Sequence, residues 1–338
     1  MASLKISTKI SAACAALLFG ALFGAVPAMS QTRWEYATPY PDTNFHTINA
    51  RKFAAEIEKI TEGQVRINIH SGGGLGMKGP EMLRAVRDGI ITMGDLPVNL
   101  QVGDAPVLNL QTQPFIFRNL AEYRIFWDEF KPTVAQVAEK FNQKLMYVVP
   151  WPQTLLYTKK PVASLRDLQG TKIRVSDPVT FDVFNALGVP AVLLPWGEAV
   201  PALASGVVNA AETSAASGVD GRFWEFMTHF YQLNNRWNTQ MVTVNRSAWN
   251  ALSPKHQKAI EEAAARFEVE FWKTAAKEGE EKKAVLLQNR MTEGQVTPEM
   301  FAEMQRRSTP IFEKNLKEMG DEAKVVYQKY LVKVGRSN

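Results

Sequence analysis

Short strand-like runs and helix-like stretches alternate along this chain from residue 34 to residue 217, and an alternation sustained that far favours α/β layers over a helical bundle or a β-sandwich. Trp34 to Thr38 reads as a strand, Asn44 to Thr61 as a helix with Phe53, Ile57 and Ile60 along one stripe, and Val65 to His70 as a second strand. Glycines interrupt the pattern before a helix at Glu81 to Arg87. A longer helix, Ala121 to Phe141, is entered by Pro114-Phe115 and leads to the strand Lys144 to Val149. The series then restarts, with strands expected at Leu155 to Thr158, Lys172 to Ser176, Ala191 to Leu194 and Val207 to Ala211. Helices at Val179 to Leu187 and Glu198 to Ala204 lie between them. Pro150-Trp151-Pro152 divides the two series, because two prolines fix the backbone and stop helix or sheet from running through. From Ser253-Pro254 the pattern changes to one long helix, with an N-cap serine, proline in the first turn and an apolar stripe through Ile260, Ala263, Phe267, Phe271 and Ala275. If it tolerates Gly279 and runs to Asn289, this helix is roughly 37 residues and about 55 Å long, enough to brace two lobes. Closing helices from Pro298 to Tyr330 are expected to pack on one of them.

The first thirty residues read as a secretory leader. Lys5 and Lys9 precede an apolar stretch from Ile10 to Val26 that ends at small residues, with cleavage after Ala28 or after Ser30 both fitting the small-residue rule. The apolar run is short of the ~20 residues a membrane span needs. The one cysteine, Cys14, lies inside the leader, so disulfides, thiol catalysis and Cys-ligated metal are excluded for the mature chain. An exported, soluble, cysteine-free chain of this size points to a bacterial periplasm or cell surface. The formal charge of +5 falls to about +3 without Lys5 and Lys9 and contains no runs of Lys or Arg, which argues against a nucleic-acid partner. The 338 residues suffice for two domains.

Catalytic and cofactor motifs are weak. Gly74-Leu75-Gly76-Met77-Lys78-Gly79 matches the dinucleotide fingerprint, with Asp95 about where a ribose-binding acid would lie. It follows a second strand instead of the first, and Pro80 stands where a helix should pack on phosphate, so it reads as a strand-to-helix turn or a cleft-lining loop. His46, His70, His229 and His256 share no three- or four-residue spacing, and no GxSxG elbow is present. No cofactor, metal or catalytic residue is expected.

The segment Ser164-Leu165-Arg166-Asp167-Leu168-Gln169-Gly170-Thr171-Lys172-Ile173-Arg174-Val175 is the most informative. In a strand of period two, Ile173 and Val175 face one way and Lys172, Arg174 and Ser176 the other. With the apolar pair in the core, Arg174 projects beside the helix start at Asp177-Pro178. Its guanidinium could hold a carboxylate through two parallel hydrogen bonds, or it could be a solvated or Asp177-paired surface arginine.

These residues, with Ala186-Leu187-Gly188-Val189-Pro190, Leu194-Pro195-Trp196-Gly197-Glu198, Ala202-Leu203 and Gly206-Val207-Val208-Asn209, resemble in order and spacing the periplasmic solute-binding subunits of TRAP transporters, the DctP family. Phe53, Gly63-Gln64-Val65, Gly74-Leu75-Gly76, Gly89 before Met93-Gly94, and Pro114-Phe115-Ile116-Phe117 also fall where that family has counterparts. The resemblance implies an α/β, two-lobed fold of the periplasmic-binding-protein type, with interlobe hinge strands and a long bracing helix. The division expected is a leader at 1–30, lobe I from 31–151 plus 240–279, and lobe II from 152–239 plus 280–338, with the ligand cleft between.

By the same resemblance, Arg174 is the ligand anchor and Trp196 the cleft aromatic. Two departures stand out. Sialic-acid-type members carry a second arginine about twenty residues before the anchor, where this chain has Gln153-Thr154. The family's Asp-Gly pair and later Asn are here Asn209-Ala210-Ala211-Glu212-Thr213-Ser214, which would offer hydroxyls of Thr213 and Ser214 to a ligand. With Trp151 and Phe115 near the expected cleft edges, the ligand favoured is a monocarboxylate with an apolar or aromatic body. The protein would deliver it to TRAP membrane permease subunits, acting as a monomer and performing no chemistry. The alternatives are an exported enzyme acting on organic acids and a receptor feeding a sensor kinase.

Overall fold

A computed structural model of the chain describes residues 31–336. The expected leader, with Lys5, Lys9 and Cys14, lies outside the described residues. Among those residues eleven strands form two sheets. β1 (Thr32–Ala37), β2 (Val65–His70), β3 (Met93–Pro97) and β4 (Gln143–Pro150) belong to the first, and β5 (Thr154–Thr158), β6 (Ile173–Val175), β7 (Ala191–Leu193), β8 (Ala210–Ser214) and β9 (His229–Gln232) to the second. The chain then returns, placing β10 (Thr239–Asn245) in the first sheet and β11 (Thr292–Gly294) in the second. Their orders are β2-β1-β3-β10-β4 and β11-β9-β5-β8-β6-β7. β1 runs parallel to β2 and β3, whereas β10 lies antiparallel between β3 and β4. In the second sheet β6 runs parallel to β7 and β8, and β5 is antiparallel to β8 and β9. Two α/β lobes result.

Ten helices accompany the sheets among the described residues: α1 (Phe45–Ile60), α2 (Met82–Arg87), α3 (Leu120–Lys140), α4 (Pro178–Ala186), α5 (Trp196–Ala204), α6 (Ala215–Asp220), α7 (Arg246–Asn250), α8 (Pro254–Gln288), α9 (Pro298–Glu318) and α10 (Asp321–Lys333). None of the described helices is long and apolar enough to cross a membrane. α8 is capped by Ser253, whose side chain accepts from the His256 amide, as its Ser-Pro start predicts. Its first half belongs to lobe I: Ile260, Phe267 and Phe271 pack with Phe53 and Tyr147, and Trp272 Nε1 donates to the Val148 carbonyl at 2.9 Å. Its last turns reach lobe II, where Leu286 packs with Phe230 and Met291. Between the halves sits Gly279, where a Cβ would lie 3.2 Å from Cβ of Pro152. The missing side chain lets the helix lie directly on the chain crossing at 151–153, which offsets the ~1 kcal/mol that a mid-helix glycine costs.

The structure corrects the sequence reading at the last helix. Residues 280–338 were expected together in lobe II; the end of α8, β11 and the start of α9 do lie there, α9 through Met300 and Met304 against Val179 and Val183. α10 lies on lobe I: Ala323, Val326 and Tyr330 join the core around Phe117 and Phe126, and Tyr330 Oη donates to the Ile116 carbonyl at 2.8 Å. Gly320, with φ +86°, makes the turn that sends the chain back. A second correction concerns β8, which starts at Ala210 where Val207 was expected. Gly206 takes φ +74°, Val207 is 55% exposed, and the Asn209 side-chain oxygen accepts from the Lys172 amide, so residues 206–209 turn before pairing begins.

Asp95, on β3, is buried in the first sheet and lines no ligand cleft. It accepts from Thr38 Oγ1 at 3.1 Å and Gln240 Nε2 at 3.0 Å, and no cation among the described residues pairs with it. Burial pushes its carboxyl up to about 7 from an ordinary 3.8, against the pull of those two hydrogen bonds. The folded state therefore holds this proton where the unfolded chain has lost it. The stability it contributes is complete below the unfolded value and is lost as pH rises through about 7. Asp95→Asn removes the charge, its Oδ1 accepting from Gln240 Nε2 while its Nδ2 donates to the Thr38 hydroxyl, and is expected to raise the melting temperature at pH 8 while leaving it nearly unchanged at pH 4. The gain expected at pH 8 is on the order of 2–4 kcal/mol. A melting temperature lower than wild type at pH 8 would contradict this reading of Asp95.

Candidate functional site

β6 is three residues long and sits inside its sheet, so each of its side chains is committed to one face. Ile173 and Val175 are fully buried in the lobe II core, and Arg174 points from the opposite face into the cleft between the lobes. This is the orientation that the period-two reading predicts. The guanidinium is oriented by a single carbonyl: Nε and Nη2 donate to the Leu194 oxygen at 3.0 and 2.7 Å. Leu194 follows β7, which runs parallel to β6, so the strand pairing itself supplies that acceptor.

The cleft encloses about 580 Å³ of empty space, its mouth included. Lobe II contributes Arg174, Trp196, Glu212, Thr213 and Ser214 to its lining. Lobe I brings Tyr40, Lys78 and Asn99, and the chain crossings bring Trp151, Arg236 and Asn238. Lys78 comes from the glycine loop after β2, in which Gly76 and Gly79 take φ of +76° and +127°. A Cβ at Gly79 would lie 2.6 Å from Leu100 Cδ1, so the loop can pass this close to the cleft wall only with glycine there.

Two arginines are buried at the cleft, in opposite electrostatic situations. Arg236 forms a fork with Glu212, Nε to Oε1 at 3.0 Å and Nη2 to Oε2 at 2.7 Å, while its Nη1 meets Asp177 at 2.9 Å. Burial opposes its charge, but the two carboxylates outweigh that and hold the guanidinium above its ordinary range. Arg174 has no carboxylate among the described residues within salt-bridge distance. Burial drives it down to about 10, with Glu212 only partly opposing the shift. A buried cation without a counter-ion is costly, and the cost is removed when an anion arrives. Such charge-assisted bonds contribute on the order of 1.5–3 kcal/mol each.

Asp177, expected as a possible partner of Arg174, instead serves Arg236 and caps α4, accepting from the Thr180 amide at 3.0 Å. It also reaches the other lobe: Asn99 Nδ2 donates to it at 3.2 Å. Further contacts join the lobes: Lys78 Nζ to Glu198 at 2.9 Å, and Asn44 Nδ2 and Thr43 Oγ1 to Asp220 at 2.6 and 3.1 Å.

The remaining expected residues are distributed unevenly. Trp196 is the first residue of α5, half-buried, lining the cleft with its ring near-parallel to Phe223 at 6.4 Å. Trp151 is locked edge-on against Tyr40 and Phe45, with ring centroids 4.9 and 5.2 Å away, and turns one side to the cleft. Thr213 lines the cleft. Ser214 does so with a hydroxyl already committed, capping α6 by accepting from the Ser217 amide at 3.1 Å.

Phe115 is not brought to this site. It takes φ +63°, which turns its ring onto lobe II, edge-on to Phe301 at 5.1 Å. Arg236, Tyr40 and Asn99 were not read from the sequence. Tyr40 had a signal, since it follows β1 in a Pro39-Tyr40-Pro41 turn at the carboxyl end of a parallel strand, where α/β sheets place their ligands. Arg236 had none, because its partners are 24 and 59 positions away.

A cleft between two α/β lobes, with one uncompensated guanidinium in its wall, defines a solute-binding protein. The model of DctP, bacterial extracellular solute-binding protein, family 7, matches residues 36–318, and the chain belongs to that family. It is 26% identical over 243 residues to the 2,3-diketo-L-gulonate-binding periplasmic protein YiaO of Escherichia coli K12, covering 70% of this chain and 72% of that one. The fold superposes with a TM-score of 0.86 on DctP7 of Bordetella pertussis, an extracytoplasmic solute receptor binding pyroglutamic acid. That protein is 29% identical, and the match covers 88% of this chain and 99% of DctP7. A marine metagenome TRAP solute-binding protein in complex with co-purified pyroglutamate gives a TM-score of 0.85 at 27% identity, over 89% of this chain and 99% of that one.

Proposed function

We propose that this chain is the periplasmic receptor of a TRAP-type secondary transporter and that it carries a small monocarboxylate to the membrane permease without altering it. The observation that carries the reading is Arg174: buried, aimed by the Leu194 carbonyl, facing the cleft and lacking a counter-ion. The leader at residues 1–30 supports export, and family membership supports a permease partner. Against an enzyme stands the state of the acidic groups, since Glu212 and Asp177 are tied to Arg236 and neither is free to act as a base.

The charge balance supports one carboxylate over two. Arg174, Arg236 and Lys78 are balanced by Glu212, Asp177 and Glu198, so the empty cleft is neutral as a whole although Arg174 has no paired carboxylate of its own among the described residues. A monoanion leaves one net negative charge in the closed cleft and a dianion leaves two. Pyroglutamate, the ligand of DctP7 and of the marine metagenome protein, is a monocarboxylate on a compact ring. Here Trp151 and Trp196 offer apolar surface to such a body, and Thr213, Tyr40 and Asn238 offer polar contacts. Closure is a rotation of the lobes about the crossings near 151–153 and 233–238, with α8 spanning both; it excludes water and strengthens the ion pair. Micromolar binding corresponds to about 8 kcal/mol, more than one ion pair supplies, so burial of the ligand body contributes the rest.

Isothermal titration of the mature protein with pyroglutamate, lactate, succinate and glutarate tests this. The expected result is micromolar or tighter binding of a monocarboxylate and at least about tenfold weaker binding of the dicarboxylates. Tight binding of succinate or glutarate with no binding of either monocarboxylate would overturn it.

A further inference from the structure

A second cavity lies on the hinge side of the molecule, with about 900 Å³ of empty space including its mouth. Its walls are both chain crossings, the middle of α8 and the start of α3. Trp151 stands between it and the ligand cleft and lines both.

The hydrogen bonding in this cavity is one-sided, and Lys283 fixes it. A lysine can only donate, so the Lys283 Nζ bond to Gln232 Oε1 at 3.0 Å sets which end of that amide faces which way. The Gln232 nitrogen must then point outward, and it donates to Gln153 Oε1 and Asn234 Oδ1, both at 2.8 Å. Both of those amides therefore turn their oxygens toward Gln232 and leave their N–H groups without a partner among the described residues. Asn119 does the same, because its oxygen accepts from the Glu122 amide as the cap of α3. The Arg118 guanidinium, exposed at the rim, has no side-chain partner among the described residues. The one carboxylate in the lining, Glu280, is paired with Lys283 at 3.0 Å. Donors are left over while every side-chain amide oxygen already holds a hydrogen bond, and Arg118 gives the cavity a net positive charge. Trp151, Trp237, Pro152 and Leu155 supply apolar wall beside these groups.

We propose that this hinge-side cavity is a second ligand site, which takes an organic anion: a carboxylate head on the N–H groups of Arg118, Asn119, Gln153 and Asn234, and an apolar body against Trp151 and Trp237. It shares the Trp151 wall with the cleft and does not use Arg174.

The probe is 4-fluorobenzoate, observed by fluorine NMR on the full mature chain. An Arg174→Ala background removes the anchor of the cleft, so that binding which persists reports the hinge side. The expected result is saturable binding to Arg174→Ala, weakened at least about tenfold by adding Arg118→Glu, a charge reversal at an exposed position that leaves the fold intact. Gln153→Leu, in the same background, is expected to weaken binding severalfold and provides a second reading if Arg118→Glu lowers the melting temperature. Loss of binding in Arg174→Ala alone, or equal binding by all three variants, would overturn the proposal. Neither outcome depends on the cleft accepting pyroglutamate.

Discussion

Replacing Arg174 by alanine is expected to weaken binding of the cleft ligand by between about 30-fold and about 3,000-fold, the range that follows from truncating one partner of a buried charge pair. Arg174→Lys keeps the charge but has no planar fork. It cannot hold the Leu194 carbonyl through two N–H groups and still present a third to a ligand, as Arg174 is arranged to do. An intermediate loss of tenfold or more is expected. The empty protein should respond in the opposite sense. Burial lowers Arg174 to about 10 from an ordinary 12.5, so the folded state bears the cost of this charge at every pH below that value. Arg174→Met, which keeps the volume and removes the charge, is therefore expected not to lower the melting temperature of the ligand-free protein, while abolishing the rise that ligand produces in wild type. Calorimetry with and without ligand separates the two effects. A large fall in the melting temperature of the empty variant would mean that Arg174 is a structural residue first.

Arg236 should behave as the converse case. It pairs with Glu212 and Asp177, both buried, and Arg236→Met leaves two buried carboxylates without a paired cation, Arg174 being near but beyond salt-bridge distance. Breaking a buried pair in this way costs about 3–5 kcal/mol, which for a chain of this size lowers the melting temperature by roughly 10 °C. Asp177 is held below the ordinary carboxylate range: burial would raise it, and Arg236 together with the hydrogen bonds from Thr180 and Asn99 outweighs burial. Its stabilisation is accordingly present above the unfolded value and lost as pH falls through the lower folded one. Without Arg236 the largest contribution to that advantage disappears, so the deficit of the variant is expected to shrink as pH falls toward 4 and the carboxylates take up protons. Arg236→Met with Glu212→Gln should recover part of the loss. A melting temperature for Arg236→Met within a degree or two of wild type would show that the triad contributes little.

The contrast between these two arginines marks the limit of what the sequence made legible. Arg174 could be read because its cue is local: alternation through Ile173 and Val175 fixes which face it takes, and a strand buried on one side leaves it no other. The cap and length of α8 were legible for the same reason, since Ser253-Pro254 and a periodic apolar stripe are short-range signals. Trp151 was marked by the prolines on either side of it. Arg236 depends on Glu212 on β8 and Asp177 at the start of α4, which meet it only once the second lobe is assembled. β10 was missed although Met241, Val242 and Val244 are apolar, because Gln240 and Thr243 are buried too, hydrogen-bonded to Asp95 and Gln143 across the sheet. A strand buried on both faces with polar residues in it has no clean period. Phe115 misled for a backbone reason: a left-handed φ at a bulky residue is rare, and it reverses where the ring goes. α10 carries no mark in its own sequence of the lobe it joins, which is decided by the Gly320 turn and by the Phe117 and Phe126 surface that it meets.

The role of Arg174 is tested most directly by a crystal structure of the mature protein with whichever monocarboxylate titrates most tightly. The ligand is expected to lie between the lobes with its carboxylate within hydrogen-bonding distance of Arg174, while Arg174 keeps its bond to the Leu194 carbonyl and Arg236 stays paired with Glu212 and Asp177. A ligand seated with its carboxylate on Arg236 or Lys78, and with Arg174 bonded only to Leu194, would contradict that role.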